Sequence, residues 1–356
     1  MTDRPAADLT DLLAPPKMHL RGLLEQMERS LKGIVIIVNE QQRIIGTVTD
    51  GDVRRAILAG LSLDSEAQDV VARNSDEPVT APLGISHGDA LTTMRGHDIR
   101  QLPLIDKDQR VQDVLVLQDV SEAPLSSMRA VVVAGGYGQR LLPLTSDTPK
   151  PMLPVGDTPL LQRIIGQIRD AGIRNVNLTT HYQDDVIIDH FGNGAGFGVD
   201  ISYLREDEPL GTAGALSMMS PSEEPVLVVN GDILTAVNFG AMVAFHDEHG
   251  ADMTVGVREY KIKVPYGVVE SDGLWVKQIS EKPELRHFVS AGVYLLGPRA
   301  HCLVQQGRRF DMTDLIEAVL AASGKVASFP IVEYWMDIGR MEDYERAQSD
   351  VRNGEV

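Results

Sequence analysis

Residues 129–155 read RAVVVAGGYGQRLLPLTSDTPKPMLPV. An apolar run over 130–134 passes directly into three glycines, Gly135, Gly136 and Gly138, and then into Arg140 and Lys150. Such a continuous apolar run predicts a buried strand. The glycines let backbone N–H groups approach a phosphate without side-chain obstruction, and the two cations supply charge to hold it. Neither of the better-known phosphate loops fits. The fingerprint G-x-G-x-x-G fails because Leu141 stands where the third glycine belongs, and a Walker A loop carries its Lys and Ser or Thr directly after the last glycine.

Working outward, strand-like runs alternate with amphipathic helices: strand 130–134, helix 160–171, strand 175–180, helix 184–191, strand 201–204, a helix near 213–219 and strand 226–229. That alternation predicts an α/β domain with a mostly parallel sheet covered by helices on both faces. The chain has 356 residues, 43% of them apolar, which is ample for two cored domains. A net charge of −18, with no local basic patch, argues against nucleic acid as a partner. No apolar stretch approaches the roughly 20 residues of a membrane helix. The start, Met1-Thr2-Asp3-Arg4, lacks a signal-peptide pattern, so a soluble, cytoplasmic protein with no membrane partner is expected. Cys302 is the single cysteine and reads as a small hydrophobe, with no partner for a disulfide or a zinc cluster.

Upstream lies an internal repeat at an offset of 67. Residues 34–53, IVIIVNEQQRIIGTVTDGDV, align with 101–120, QLPLIDKDQRVQDVLVLQDV: Gln42 and Arg43 fall on Gln109 and Arg110, and Asp52 and Val53 on Asp119 and Val120. Leu24 and Met27 likewise fall on Leu91 and Met94. Each copy reads as helix, strand, turn, strand. In the first, the helix covers about 21–30 and the strands 34–38 and 44–49, with Asp52 opening a further helix over 53–59. The polar stretch 118–128, QDVSEAPLSSM, marks the boundary, with 123–128 as linker between a module at 1–122 and a domain at 129–356.

The segment 46–55, GTVTDGDVRR, resembles the second strand and helix start of a cystathionine-β-synthase (CBS) domain, and two copies, about 10–62 and 63–122, make the usual pair. The resemblance implies an α+β module in which Gly46, Thr49 and Asp52 bind an adenine nucleotide, the Asp holding the ribose hydroxyls. It also implies face-to-face association and hence a homo-oligomer. The second copy departs from the pattern, with Asp113 and Val116 replacing the glycine and threonine, so at most one site per pair is complete. The competing reading is a purely structural pair in which Asp52 only caps a helix.

The 129–155 segment closely resembles the signature of sugar-1-phosphate nucleotidyltransferases, G-G-x-G-T-R-L-x-P-L-T followed by P-K-P-M-L-P-V, and the likeness continues in order to the C terminus. It implies a Rossmann-like, glycosyltransferase-A-like catalytic domain with a mixed, mostly parallel sheet. Arg140, Lys150 and Lys282 would be its catalytic cations. Ala134, Gly135, Gly136, Gly138 and Gln139, with Gly211, Thr212 and Ala213 of the LGTAGA loop, would contact the nucleotide. Asp232 of Asn230-Gly231-Asp232 and Asp337 of WMDIG would hold Mg²⁺. Gly267, Glu281, Lys282 and Gly292 would face the sugar phosphate. Two positions depart from the family pattern: Gln139 stands where Thr is usual, and Ser290 where Asn is usual.

Read without the family, Asp232 ends an apolar strand, where open α/β sheets bind ligands, and Asp337 lies 105 residues later in another apolar context. Each alone also fits a turn or cap. Together with a glycine-rich phosphate loop, two carboxylates suit Mg²⁺, which takes oxygen ligands and shares them with substrate phosphates. No general base is needed, since a phosphate monoester is already anionic. His181, His190, His246 and His249 therefore read as surface or core residues, with His181 nearest the site. The reaction expected is transfer from an NTP, GTP favoured, to a sugar 1-phosphate. Glucosamine or mannose 1-phosphate is favoured, as in the subgroup serving nonulosonic acid biosynthesis. The alternatives are uridylyl or thymidylyl transfer to glucose 1-phosphate, or a nucleotide-sugar sensor without turnover.

Overall fold

The computed structural model describes residues 9–73, 77–97, 99–117 and 125–356, and divides into two compact units, residues 1–124 and 125–356. Among the described residues no helix is long and apolar enough to cross a membrane.

In the N-terminal unit the repeat is visible as repeated topology. Leu13–Ala14 pairs parallel with Ile34–Val38, which pairs antiparallel with Ile44–Thr49. Ala81–Pro82, Gln101–Ile105 and Val111–Val116 repeat that arrangement. The shared Gln-Arg sits at the turn of both hairpins. Gln42 and Gln109 both take a left-handed backbone, φ 61° and 65°, and Asn39 and Asp106 each accept N–H bonds across the turn, from Arg43 and Arg110. The copies meet through a bridge between Arg43 and Arg110 and a common apolar cluster of Leu12, Ile34, Ile36, Val38, Val111 and Val114. Asp119 and Val120 of the second copy lie outside the described residues.

One expectation is corrected here. The helix of the first copy runs Asp50–Leu58, and its cap is Thr49, not Asp52. The threonine hydroxyl accepts from the Asp52 N–H, while the Asp52 carboxylate accepts from the Thr49 N–H and hydroxyl, at 2.8 and 2.7 Å. A hydroxyl one position before the helix has the reach to satisfy the third N–H, and an acidic residue there closes the reciprocal box. Asp52 also pairs with Arg55 at 2.6 Å. Gly46 has a packing reason of its own, since a Cβ there would stand 2.6 Å from Val71 Cγ1.

Behind this helix start Arg54 is fully buried and grips Asp50 with both ends of its guanidinium, at 2.6 and 2.9 Å. Removing one partner of such a pair leaves the other charge uncompensated. Arg54→Ala is expected to cost the N-terminal unit about 3 kcal/mol, read as faster hydrogen exchange of amides 20–58. A loss below about 1 kcal/mol, the worth of a surface pair, would show the pair to be dispensable.

The C-terminal unit is built on a seven-stranded sheet. Across it the strands run Asp200–Arg205, Asn175–Thr180, Arg129–Val133, Val226–Asn230, Glu284–Leu296, Met253–Lys263 and Val326–Pro330. The first four are mutually parallel, and Glu284–Leu296 is antiparallel to both its neighbours. The helix Leu160–Asp170 shows why the elements pack. Its Leu160, Leu161, Ile164, Ile165 and Ile168 fall on one stripe and are buried, the last four in the core cluster beneath the sheet. The 213–219 helix expected from sequence is a short α-turn, Gly211–Gly214, followed by a 3₁₀ turn, Ala215–Met218. The sheet order places the strand ends at Ala134, Asn230 and Thr180 side by side on one rim.

Candidate active site

The glycine loop leaves the central strand Arg129–Val133 and folds back on itself. Gly138 adopts φ +63°, and a Cβ there would meet Thr145 Cγ2 at 2.9 Å and Lys150 Cβ at 3.0 Å. The Thr145 hydroxyl donates to the Gly138 carbonyl at 2.9 Å. Leu141 anchors the turn in a small core with Leu153, Val155, Leu234 and Ile338. Arg140 is thereby held at the mouth of the loop, and Lys150 follows from a one-turn 3₁₀ helix, Lys150–Met152.

Lys150 reaches Asp232, Nζ to Oδ2 at 2.6 Å, with the lysine side chain 12% and the aspartate 35% exposed. Asp232 follows the strand Val226–Asn230, whose extension is fixed by the Gly231 N–H donating to the Val133 carbonyl. A second ladder then brings in the far end of the chain: Ile233 pairs with Asp337, and the Ile338 N–H donates to the Asp232 carbonyl. Asp337 has an open side, but the packing around its carboxyl, then the neighbouring charge of Asp232, push it above the usual carboxylate range, with Lys150 and Arg140 pulling it back. Four charged groups drawn from positions 140 to 337 thus share one electrostatic neighbourhood.

The donor chemistry suits a hard divalent cation. Asp337, raised by burial and then by the neighbouring Asp232 charge, gains from a positive charge between the two carboxylates. Among the described residues no group of three or more His, Cys, Asp or Glu side chains is arranged so that it could hold a metal ion by itself. The pair would thus hold an ion that completes its shell with water and phosphate oxygens. Beside it Asn230 presses on Gly292, where a Cβ would stand 2.7 Å from Asn230 Nδ2 at φ +71°. The Asn230 Oδ1 is buried with no protein partner.

The other candidates fall into two groups. Gly211, Thr212 and Ala213 form a loop tied to the helix Met312–Ala321. Asp311 Oδ1 accepts from the Thr212 N–H at 3.0 Å, the Thr212 hydroxyl accepts from the Met312 N–H at 2.8 Å, and the Ala213 N–H donates to the Phe310 carbonyl. Gly267, Glu281 and Lys282 lie in the short segments between paired strands, just before Val268–Asp272 and between Trp275–Ser280 and Glu284–Leu296, with Glu281 Oε2 3.2 Å from where a Gly267 Cβ would be and Lys282 mostly exposed at φ 46°. Among the described residues no hydrogen bond or ion pair joins this trio to Lys150 and Asp232.

The sequence reading missed Glu206 and Asp311. Glu206 is 9% exposed, and burial pushes its carboxyl up, against the pull of the Leu210 N–H. Its Oε1 lies 3.5 Å from a Cβ built on Gly135, so it faces the glycine loop. His181, expected nearest the site, is a brace: Nδ1 pairs with the Glu206 carbonyl and Nε2 with the Tyr137 hydroxyl, both at 2.8 Å. His246 is buried against Thr254, and His190 bonds Gln162. An acidic residue four positions before Leu210 was the available signal for Glu206; Asp311 is an ordinary helix cap in sequence.

Residues 129–354 match the family model described as nucleotidyl transferase. The chain belongs to the nucleotidyl transferase family. CBS-domain models match residues 7–59 and 67–126. Among curated relatives, mannose-1-phosphate guanylyltransferase of Mycobacterium tuberculosis is 31% identical over 234 residues, covering 63% of this chain and 65% of that protein. The catalytic subunit beta of the same activity from Danio rerio is 32% identical over 226 residues, covering 61% and 62%. The chain therefore spans somewhat less than two thirds of these relatives. A Bacillus anthracis structure, described as a glucose-1-phosphate thymidylyltransferase in complex with sucrose, covers 64% of this chain and 96% of its own. Its TM-score of 0.52 at 23% identity establishes the shared nucleotidyl transferase fold.

Proposed function

We propose that this protein transfers a nucleotidyl group from an NTP, GTP favoured, to a sugar 1-phosphate, releasing pyrophosphate. The observation that carries the reading is the convergence of Arg140, Lys150, Asp232 and Asp337 behind a glycine loop. An oxygen of the sugar phosphate, gripped by Lys282, forms a bond to the α-phosphorus as the bond to the β-phosphate oxygen breaks. Arg140 and Lys150 stabilise the departing pyrophosphate. Asp232 and Asp337 would hold Mg²⁺, which when bound neutralises phosphate charge. The phosphate monoester is already anionic, so no side chain need take a proton.

Glu206 supports guanine as the base. Its Oε2 already accepts the Leu210 N–H at 2.8 Å, so Oε1, which faces the glycine loop, is the acceptor left for a base donor such as the ring N–H or exocyclic amine of guanine. Uracil and thymine offer a single ring N–H between carbonyls, which such a carboxylate would repel. The two relatives named above carry guanylyltransferase names, and glucosamine or mannose 1-phosphate remains the favoured acceptor. For the CBS pair, a purely structural role in assembly competes with an adenine-nucleotide switch at Gly46, Thr49 and Asp52, and a rate unchanged by AMP or ATP with no binding would sink the switch.

A substrate matrix tests the reading: Mg²⁺ with GTP, UTP, dTTP, CTP or ATP against mannose, glucose and glucosamine 1-phosphates, scored by nucleotide-sugar mass. The expected result is a product with GTP and either mannose or glucosamine 1-phosphate. Product only with UTP or dTTP on glucose 1-phosphate would overturn the guanine assignment. Silence with AMP and ATP added would favour a binding-only protein.

A further inference from the structure

Beyond Val257 two strands leave the seven-stranded sheet. Pairing with Val326–Pro330 ends at Val257, and pairing with Val226–Asn230 ends at Val293. What continues is a ribbon of two strands only, the ladder from Arg258 to Lys263 against Glu284 to Val289. The Val264 N–H, donating to the Pro283 carbonyl, carries it on to an outer hairpin, Val268–Asp272 with Trp275–Ser280. Two strands alone in water are marginal and gain stability from a further layer. Yet of the 21 large apolar side chains exposed among the described residues, ten lie on this ribbon. An apolar load so concentrated marks an interaction surface.

The register sorts the inner ribbon into two faces. Tyr260 and Ile262 stand opposite His287 and Leu285 on one face. Glu259 and Lys261, opposite Phe288 and Arg286, lie on the other, where Lys261–Glu284 and Arg286–Glu259 ion pairs at 3.6 and 3.5 Å satisfy the charges locally. In the outer hairpin Val269, Ile279 and, across the bulge, Val276 share a face, and Leu274 at the tip is 95% exposed.

We propose that the ribbon is a dimerisation arm whose apolar face is covered by the ribbon of a second copy of this chain. Area, charge and symmetry select that occupant. Counting only Tyr260, Ile262, Leu285, Val269, Val276, Ile279 and Leu274, and leaving out Phe288, Trp275 and Tyr266, the exposed area is on the order of 800 Å², about the share each partner gives to a standard interface. Residues 258–290 hold six Lys and Arg against five Asp and Glu, so the chain's excess of 18 acidic residues lies wholly elsewhere. Two such acidic chains repel least where they meet through this segment. A two-fold axis across the ribbon also sets the same apolar patch against itself. This assembly is independent of any association through the CBS pair, and it borders the candidate sugar-phosphate residues, since Ile279 Cδ1 lies 3.5 Å from a Cβ built on Gly267.

The full chain tests it by light scattering at equal loading. Ile262→Glu combined with Leu285→Glu is expected to halve the wild-type particle mass. Leu320→Glu, a control at an exposed leucine on the helix Met312–Ala321, leaves it unchanged. In the unmutated chain, amides 258–290 exchange more slowly as protein concentration rises. A wild type that is monomeric throughout, or a folded double variant that keeps the wild-type mass, overturns the proposal. Should the double variant misfold, exchange in 258–290 that ignores concentration overturns it equally.

Discussion

Asp232→Asn is expected to lower kcat about a thousandfold, the scale of losing one electrostatic element of a transition state, while circular dichroism shows an unchanged fold. The physical basis is the closed charge arrangement at the strand rim. Asp232 is the partner of the Lys150 ammonium at 2.6 Å and the neighbouring charge that, after burial, helps raise Asp337. Its amide replacement keeps the shape, the backbone bond to Ile338 and the ladder to Asp337, because these run through main-chain atoms. What disappears is one of two anionic oxygen donors and the partner that aims Lys150. Equilibrium dialysis with Mn²⁺ as a reporter should show weaker cation binding in the same variant. Turnover within a few fold of wild type would mean that the chemistry lies elsewhere.

Gly138→Ala is expected to be nearly as damaging for a different reason. The position sits at φ +63°, where a side chain costs of order 1–3 kcal/mol. The added methyl would stand 2.9 Å from Thr145 and 3.0 Å from the Cβ of Lys150. Neither neighbour is a flexible tip, so the loop or Lys150 must shift. A displacement of about 1 Å in a positioning element costs on the order of a hundredfold in rate. Single-turnover kinetics with pyrophosphate release should show that loss. Gly136→Ala is the steric contrast, since a Cβ there meets nothing within 4 Å and thermal stability should be unchanged. Equal activity in the Gly138 variant would show that the loop adapts.

Much of this was legible before any coordinates. The runs at 34–38, 44–49, 175–180 and 184–191 form elements with those boundaries, because each is a periodic apolar segment closed by its own turn or cap residues. The offset of 67 returns as two hairpins whose turns match down to a left-handed glutamine, since a turn is a local solution that its own residues specify. The order of motifs from Gly135 to Gly339 identified the family because close backbone approach to phosphate tolerates few residue types at those places.

Where local signals competed, the reading went astray. Thr49 and Asp52 are both good caps, and only the closed geometry shows that the threonine takes the end while the aspartate answers from the third position. Glu206 and Asp311 read as ordinary acids; what distinguishes them is facing Gly135 and holding Thr212, contacts made across 71 and 99 residues of chain.

By itself, then, the amino-acid sequence determined the repeat, the periodic elements and the ordered motifs that identify the family, all of which are read within a few residues. Only the tertiary structure decided that Ile233 pairs with Asp337, that Lys150 reaches Asp232, that Glu206 faces the glycine loop and that residues 258–290 leave the sheet as a bare ribbon. Strand order and register depend on which buried faces fit together over long separations, and that is a property of the packed chain, not of any window along it.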